Sequence, residues 1–346
     1  MESPPSGIIF CIQNKHKPMN TNNPAPQSER RIVVLDGYVA NSGDLSWEEL
    51  GRLGDLKVYD RTAPSEVVDR CQGAFAVFVN KVVIDADTIA LLPDLKFIGV
   101  LATGYNNVDI AAARSAGITV CNVPDYSSAS VAQTVFALLL AITNRAETYT
   151  DSVVHGDWTN CIDFSYRLSP IEELDGLTMA VYGLGNIGMR VAKIANAFGM
   201  KVVSATSKSA DRLPDFIEKV PLEEMLRRAD VLSLNAPLCD DNRHFIRTET
   251  LALMKPSAIL INTARGGLVD EHALADALQN GKLAAAGLDV LEHEPPHADC
   301  PLIGLSNCLI TPHVAWQSTA ARHRLLKVSA ANLAAFISGT PQNSVN

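Results

Sequence analysis

The 346-residue sequence lacks the features that mark nucleic-acid-binding and membrane-spanning proteins. It has no run of five or more Lys and Arg, and 29 basic against 38 acidic side chains give a net charge of −9. Clustered positive charge attracts nucleic acids and anionic membranes, so neither is an expected partner. No apolar run reaches about 18 residues, the length that a membrane-spanning helix needs. We therefore expect the partner to be a small molecule.

Cysteine pairs and metal-ligand patterns are missing as well. The seven cysteines include no Cys-x-x-Cys pair, and their odd number favours a reducing compartment over a disulfide framework. The histidines show no metal-ligand spacing, and the chain has neither a Ser-His-Asp order nor a phosphate-binding lysine loop. These absences predict a cytoplasmic protein without a metal site.

The most informative stretch that is present is Gly183-Leu184-Gly185-Asn186-Ile187-Gly188, which follows the strand candidate Thr178–Tyr182 and opens an apolar helix. A Gly-x-Gly-x-x-Gly turn between a strand and a helix binds the pyrophosphate of a dinucleotide. The first glycine permits the turn, the second lets the backbone approach the phosphates, and the third lets the helix lie close to the strand. The backbone N–H groups of Asn186 and Ile187 are expected to face the anion.

Short apolar strand candidates alternate with helical patterns on both sides of this turn. Five lie between Arg31 and Cys121, and six form a second group from Thr178 to Ile310. This alternation is typical of parallel α/β sheets. Residues 130–142 carry almost no charge and predict a buried helix, whereas residues 149–173 are less regular. Residues 1–30, rich in Pro, Ser and Asn, predict a disordered tail.

Three polar clusters follow consecutive strand candidates of the second group, which is where ligands bind in open α/β sheets. They contain Arg265, Glu294 and His313. Reversible hydride transfer to a 2-oxo acid needs a planar cation for the carboxylate, an acid for the carbonyl oxygen and a group that holds this acid. Arg265, His313 and Glu294 fit these roles in that order, because a carboxylate beside an imidazole stabilises its protonated form. Singly, each has an ordinary alternative: a surface ion pair, a helix cap or a solvated carboxylate.

These features resemble the D-isomer-specific 2-hydroxyacid dehydrogenase family over residues 31–346. Besides the glycine turn, the resemblance rests on motifs that occur in the family's order: Ala102-Thr103-Gly104-Tyr105-Asn106-Asn107-Val108-Asp109, Asn262-Thr263-Ala264-Arg265-Gly266, Gly287-Leu288-Asp289-Val290, Glu294-Pro295 and Pro312-His313. It implies an α/β fold with two doubly wound parallel-sheet domains. A Rossmann dinucleotide-binding domain, residues 125–312, is inserted in a flavodoxin-like substrate domain made of residues 31–124 and 313–346. A homodimer through the cofactor domains is also implied.

The resemblance assigns roles to individual positions. Arg265, Glu294 and His313 match the family's catalytic trio. The implied substrate-binding residues are Ala102, Thr103, Gly104, Arg265 and Trp316, with backbone amides around Thr103 and Gly104 receiving the carboxylate. The implied contacts of NAD or NADP are Gly183, Gly185, Asn186, Ile187, Gly188, Thr206, Ser207, Lys208, Ala236, Pro237, Thr263, Ala264, Asp289 and His313. Asp289 is expected at the nicotinamide carboxamide.

Within this family, Leu35-Asp36-Gly37, Gly43-Asp44-Leu45-Ser46-Trp47, Asn80-Lys81 and His313-Val314-Ala315-Trp316 most resemble the glycerate dehydrogenase (hydroxypyruvate reductase) branch. The ring of Trp316 would narrow the pocket to suit a three-carbon acid, or else pack the seam between the domains. The expected activity is reduction of hydroxypyruvate or glyoxylate and oxidation of D-glycerate.

One departure from the family pattern leaves the coenzyme open. An NAD enzyme places an acidic residue about 20 residues beyond the first glycine, on the ribose hydroxyls. This chain has Ala205-Thr206-Ser207-Lys208-Ser209 there. Hydroxyls and a lysine suit a 2′-phosphate, so NADH and NADPH are both candidates.

Other functions on the same fold are alternatives. Some proteins of this fold act as nucleotide-sensing corepressors and keep the same trio. Dehydrogenases for another small 2-oxo acid, or for formate or phosphite, are further alternatives. The short predicted tail and the branch motifs favour the glycerate dehydrogenase activity.

Overall fold

The computed structural model describes residues 30–346, so the predicted tail lies outside the described residues except for Arg30. Within this range the strands are Arg31–Val34 (β1), Asp55–Val58 (β2), Ala76–Val79 (β3), Phe97–Val100 (β4), Thr119–Cys121 (β5), Thr178–Tyr182 (β6), Lys201–Ser204 (β7), Ile217–Lys219 (β8), Val231–Leu234 (β9), Ile259–Asn262 (β10), Ala285–Leu288 (β11) and Cys308–Ile310 (β12). The α-helices are Glu48–Gly51 (α1), Val67–Cys71 (α2), Ala86–Ala90 (α3), Ile110–Ser115 (α4), Ser128–Asn144 (α5), Ala146–Val154 (α6), Asn186–Ala197 (α7), Leu222–Arg228 (α8), Thr248–Leu251 (α9), Glu271–Gln279 (α10) and Thr319–Ile337 (α11).

The strands form two separate parallel sheets. The first has five strands in the order β2-β1-β3-β4-β5, and the second has seven in the order β12-β11-β10-β9-β6-β7-β8. Their central strands, such as β3 and β9, are buried along their whole length because helices cover both faces. The predicted α/β fold with two doubly wound sheets is therefore confirmed.

Strand order fixes where ligands can approach each sheet. The order reverses between β1 and β3 in the first sheet and between β6 and β9 in the second. At such a reversal the flanking loops turn to opposite faces and leave a crevice beyond the carboxyl ends of the strands. The glycine turn after β6 lies at the reversal of the second sheet.

Helix α11 returns to the first sheet, as expected. Ala321, Leu325 and Leu333 are fully buried in the core beneath this sheet, together with Phe78 and Phe97. Both ends of the described chain therefore contribute to the first sheet's core.

Helix α5 is buried, which agrees with its lack of charge. Val135 and Leu139 are fully buried against Met179 and Val181 of β6.

Among the described residues no single helix is long and apolar enough to cross a membrane, although α5 and α6, bent by 54° from each other, meet the length and composition test as a pair.

Three short elements were absent from the sequence-based prediction. Strand β8 is an edge strand of three residues, and α3 is a helix of five residues. Helix α6 occupies part of the region that was expected to be irregular. The second sheet consequently has seven strands instead of the predicted six.

Candidate active site

Loops from both sheets meet at the carboxyl ends of their strands. The loop after β4 carries Thr103 and Gly104, and the loops after β10, β11 and β12 carry Arg265, Glu294 and His313. A side-chain Cβ placed on Gly104 would lie 3.0 Å from Nη2 of Arg265. The cleft between the two sheets therefore brings the predicted substrate loop against the predicted carboxylate-binding arginine.

His313 and Glu294 form a hydrogen-bonded pair. Nδ1 of His313 lies 2.6 Å from Oε2 of Glu294, and the two side chains are 29% and 34% exposed. The carboxylate is an acceptor, so it fixes the proton on Nδ1 and leaves Nε2 as the ring nitrogen for proton transfer. His313 itself has a left-handed backbone, with φ of 53°.

Asp289 holds the loop that carries the histidine. Its carboxylate accepts hydrogen bonds from the hydroxyl of Thr311 (2.6 Å) and from the backbone N–H groups of Val314 and Ala315 (both 2.9 Å). Its carbonyl oxygen accepts from the N–H of His313 at 2.8 Å. The three hydrogen bonds to its carboxylate leave Asp289, which is 1% exposed, little capacity to accept further hydrogen bonds. The expected contact of Asp289 with the carboxamide of nicotinamide stays a prediction.

The environment of Glu294 favours its charged form. Burial raises the pKa of this carboxyl, but the hydrogen bond and the charge of His313, the N–H of Leu291 and the charge of Lys81 outweigh burial and lower the pKa below its ordinary value. An ionised carboxylate in turn stabilises a positive imidazole.

Arg265 lies in a turn that is fixed by a buried asparagine. Nδ2 of Asn262 donates to the carbonyl oxygen of Arg265 (2.9 Å), and Oδ1 of Asn262 accepts from the N–H of Ala264 (3.0 Å). Nη1 of Arg265 donates to the carbonyl oxygen of Ala264 at 2.7 Å. Within residues 30–346 the guanidinium pairs with no carboxylate, so the surface ion pair considered above is not formed.

The loop of residues 102–104 presents free backbone donors beside this cation. The hydroxyl of Thr103 donates to the carbonyl oxygen of Val123 (2.9 Å), and the N–H of Val123 donates to that of Ala102 (3.0 Å), which anchors the loop. In the described part of the chain, the N–H groups of Thr103 and Gly104 have no hydrogen-bond partner. Two free amides and a guanidinium form a site suited to a carboxylate.

Trp316 packs near the same arginine. Its ring is 6.3 Å from the ring of Tyr126 in an edge-to-face contact, and it lies against the core of the first sheet. Burial raises the pKa of Tyr126, and the positive charge of Arg265 opposes this shift. Tyr126 is therefore a ring partner of Trp316 that also responds to the charge of Arg265, and sequence reasoning missed it because it lies outside the quoted motifs.

The glycine turn has the geometry of a dinucleotide cradle. Gly183 has φ of 94°, and a Cβ there would lie 2.6 Å from the backbone nitrogen of Ala236, beside Pro237. A Cβ on Gly188 would lie 1.9 Å from the carbonyl oxygen of Gly183, so α7 approaches β6 as closely as predicted. Among residues 30–346, no atom beyond Gly185 and its chain neighbours lies within 4 Å of the place where a Cβ of Gly185 would stand, which leaves the approach to the helix N-terminus open.

Two buried polar atoms at neighbouring strand ends also fit a bound dinucleotide. Within the described residues, Oγ1 of Thr263 and Oδ1 of Asn235 are buried without a hydrogen-bond partner. They follow β10 and β9, on the cofactor side of the cleft. Unpaired buried polar atoms are costly unless a ligand or water satisfies them.

The segment after β7 approaches the glycine turn. Nζ of Lys208 donates to the carbonyl oxygen of Leu184 at 2.6 Å, and the N–H of Lys208 donates to the hydroxyl of Thr206 at 3.2 Å. Nζ of Lys219, on β8, donates to the carbonyl oxygen of Lys208 at 2.8 Å. An open pocket of about 550 Å³ lies here and is lined in part by Thr206 and Lys219. Lys219 escaped sequence reasoning because β8 was not predicted.

No group of three or more His, Cys, Asp or Glu side chains that could hold a metal ion occurs in the range 30–346. The fold, the glycine turn and the polar cleft are those of an NAD(P)-dependent oxidoreductase. Residues 136–315 match the family described as D-isomer specific 2-hydroxyacid dehydrogenase, NAD binding domain, and the chain belongs to this family. Its cofactor is accordingly NAD or NADP.

Individual relatives agree over nearly the whole chain. The chain is 42% identical to a hydroxypyruvate reductase of Blautia hydrogenotrophica over 320 residues, 91% of this chain and 99% of the relative. It is 42% identical to a glycerate dehydrogenase of Methylorubrum extorquens over 319 residues, with the same coverage. A solved acyclic imino acid reductase in complex with NADPH and D-Arg is 30% identical, with a TM-score of 0.80 and coverage of 91% of this chain and 100% of that one. The predicted family and branch are therefore confirmed, and the corepressor alternative receives no support.

Proposed function

We propose that this protein reduces hydroxypyruvate, and more slowly glyoxylate, and oxidises D-glycerate in the reverse direction. The observation that carries the proposal is the 2.6 Å pair of His313 and Glu294 in the cleft where Arg265 faces the loop of residues 102–104. The two relatives at 42% identity are a hydroxypyruvate reductase and a glycerate dehydrogenase, which supports this substrate class. The bulk of Trp316 beside Tyr126 supports a small acid.

Arg265 and the free amides of Thr103 and Gly104 would grip the substrate carboxylate. A guanidinium binds a planar carboxylate bidentately, which also orients the carbon that reacts. With the carboxylate held there, the 2-oxo group points toward the histidine side of the cleft. The bound nicotinamide supplies the hydride to C2 of the substrate.

His313 would donate the proton that the reduced carbonyl oxygen needs. Glu294 holds Nδ1 and stabilises the charged imidazole, so Nε2 carries a proton to give to the substrate oxygen. In the oxidation of D-glycerate, neutral Nε2 takes the hydroxyl proton back. This is general acid–base catalysis with a positioned histidine.

The residues after β7 would accept a 2′-phosphate on the adenosine ribose. No acid lies in the segment 205–209, so the charge repulsion that excludes NADPH from NAD enzymes is missing. Nζ of Lys208 already reaches the glycine turn, and Lys219 lines the neighbouring pocket. We propose that NADPH is accepted at least as well as NADH.

A homodimer through the cofactor-sheet units is also part of the proposal. Residues 153–171, which we term the apolar arm, expose seven large apolar side chains: Val153, Val154, Trp158, Ile162, Phe164, Leu168 and Ile171. Exposed apolar patches of this kind mark interaction surfaces.

For location we propose the cytoplasm, which suits the six free cysteines of the described chain.

Steady-state rates test the function. We expect oxidation of NADPH or NADH with hydroxypyruvate and glyoxylate, and reduction of the oxidised coenzyme with D-glycerate but not with L-glycerate. His313→Ala should lower turnover by about 10²- to 10⁴-fold, the usual worth of general acid catalysis, with coenzyme affinity unchanged. His323→Ala, at an exposed position of α11, is the matched control and should retain full activity. No turnover of any 2-oxo acid by the wild type would overturn the proposal.

A further inference from the structure

The crevice of the first sheet contains a fixed loop with a free lysine. The strand order reverses between β1 and β3, and Asp36 follows β1 at that point. Its carboxylate accepts hydrogen bonds from the backbone N–H groups of Asn80 (2.7 Å), Lys81 (2.5 Å) and Val82 (3.0 Å), which follow β3. Asp36 is only 9% exposed, so its charge is used to hold this loop. Ligands of open α/β sheets bind at such a reversal.

This loop is fastened to the loop that faces Arg265. Nδ2 of Asn80 donates to the carbonyl oxygen of Leu101 at 2.7 Å, and Nδ2 of Asn107 donates to that of Val82 at 2.8 Å. Because β3 and β4 are neighbouring parallel strands, Lys81 lies at the same edge as Thr103 and Gly104. The backbone of Lys81 is therefore positioned as firmly as the predicted carboxylate site.

The ammonium group of Lys81 is available to a ligand. The side chain is exposed, and among residues 30–346 no carboxylate pairs with it. Its positive charge is one of the influences that lower the pKa of Glu294, so it acts on the cleft that holds the His313–Glu294 pair. Each sheet therefore contributes to the cleft a positively charged side chain that pairs with no carboxylate among the described residues. Lys81 comes from the first sheet and Arg265 from the second.

We propose that Lys81 is a specificity-determining residue that donates a hydrogen bond to an oxygen on C3 of the substrate. This inference rests on the proposed function, in which Arg265 and the amides take the carboxylate and His313 takes the oxygen on C2. The C3 hydroxyl of hydroxypyruvate is then the polar group without a partner. A lysine at the opposite wall of the cleft can donate to it, and such a donor discriminates strongly against acids that lack the oxygen.

Substrate ratios in Lys81→Met test the inference. Methionine keeps the length of the side chain and removes the charged donor. A charge-assisted hydrogen bond is worth about ten- to a hundredfold in kcat/KM, so hydroxypyruvate should lose that factor. Pyruvate and glyoxylate, which have no C3 oxygen, should change less than about threefold by the same reasoning. Lys81→Arg keeps a charged donor and should retain most of the preference.

Lys96→Met is the matched control, since Lys96 comes just before β4, at the amino ends of the strands of the same sheet. Among residues 30–346 its ammonium group contacts only the carbonyl oxygen of Pro93. This variant should leave all three rates unchanged. Coenzyme binding, followed by quenching of tryptophan fluorescence, shows whether each variant is folded. An equal loss with all three acids, or no loss with hydroxypyruvate, would overturn the inference. Failure of the proposed function is distinguishable, because it is seen in the wild type alone as a lack of hydroxypyruvate turnover.

Discussion

At the scale of single residues, the proposed chemistry depends on the pair of His313 and Glu294. The carboxyl of Glu294 has a pKa below its ordinary value of 4.5, so it remains ionised in mildly acidic solution. A group whose pKa is lowered by folding stabilises the fold above its ordinary pKa, and this contribution is lost as the pH falls through the lowered value. Glu294 is therefore charged throughout the range in which the enzyme is expected to work.

Replacing Glu294 by glutamine should slow the reduction of hydroxypyruvate. The amide can still contact Nδ1 of His313 but carries no charge to stabilise a protonated imidazole. We expect kcat/KM for hydroxypyruvate at neutral pH to fall by about ten- to a hundredfold, the worth of a charge-assisted hydrogen bond. An unchanged kcat/KM would show that Glu294 does not act on His313.

A second residue-scale prediction concerns the coenzyme. Thr206→Asp places a carboxylate at the end of β7, where it would repel a 2′-phosphate and bond the ribose hydroxyls of NADH. We expect the ratio of kcat/KM for NADPH over NADH to fall by about tenfold or more, since charge-assisted contacts to phosphate are worth this much. Ser306→Asp, in the exposed loop before β12 and outside the segment 205–209, is the control. A wild type that is already tenfold better with NADH would contradict the proposed preference.

At the scale of secondary structure, the glycine turn depends on two different properties of glycine. Gly188 is required by packing, because a Cβ would lie 1.9 Å from the carbonyl oxygen of Gly183. Gly185 has an ordinary backbone and open space around it, so its Cβ would disturb nothing in the protein itself. Its lack of a side chain matters for what approaches from outside.

Alanine substitutions at these two glycines should have different effects, one on stability and the other on coenzyme binding. Gly188→Ala forces α7 away from β6, and overpacking of this kind typically costs about 1–3 kcal/mol, so the thermal midpoint should fall. Gly185→Ala should leave the midpoint unchanged but weaken coenzyme binding, because its methyl group occupies the approach to the pyrophosphate. Thermal unfolding and coenzyme titration of both variants provide the measurements. A Gly185→Ala variant with wild-type coenzyme affinity would contradict the role given to this glycine.

The elements that could be predicted are those with a strong local pattern. Strand β6 has the predicted bounds, Thr178–Tyr182, because an apolar run ends there at the glycine turn. Strand β8 could not be predicted because Glu218 and Lys219 are exposed at a sheet edge, and only Ile217 is buried. Helix α6 begins at Ala146, directly after Arg145, whose left-handed backbone (φ of 51°) bends the chain at the end of α5.

In the candidate site, too, some residues could be identified from sequence motifs, whereas others are recognised only in the folded chain. Strand-end motifs were sufficient to bring Arg265, Glu294 and His313 to attention, because parallel strands end at a common edge. Tyr126 lies outside the quoted motifs, and Lys81 was quoted only for its resemblance to the branch. The folded chain adds that the charge of Lys81 acts on Glu294 and that the charge of Arg265 acts on Tyr126.

At the scale of the whole molecule, the chain closes on itself around the first sheet. Asn346 Oδ1 accepts the N–H of Val120 (2.9 Å), and Asn346 Nδ2 donates to the carbonyl oxygen of Ile118 (2.6 Å), beside β5. Arg322 at the start of α11 pairs with Asp44 near α1. These contacts join the last residues of the chain to the first unit, so the apolar arm on the second unit is not covered by either end of the described chain.

The apolar arm is held in shape although its apolar side chains face outward. Nε1 of Trp158 donates to the carbonyl oxygen of Phe164 at 2.9 Å, and the hydroxyls of Ser152 and Tyr166 lie 2.7 Å apart. Internal hydrogen bonds hold this segment in one shape, although Phe164 is 91% exposed. An ordered segment with exposed large apolar side chains is typical of a protein–protein interface. Such preorganisation lowers the entropic cost of association.

Charged residues in the apolar arm should therefore dissociate the dimer. In Ile162→Asp combined with Phe164→Asp, two carboxylates would be buried without partners in a closed interface, which costs several kcal/mol and shifts a symmetric dimer toward monomers. Sedimentation velocity of the wild type and the variant measures the change. Val83→Asp, which alters a 60% exposed apolar side chain on the first unit, is the control and should stay dimeric. A monomeric wild type, or a variant that remains dimeric, would show that the arm does not mediate self-association.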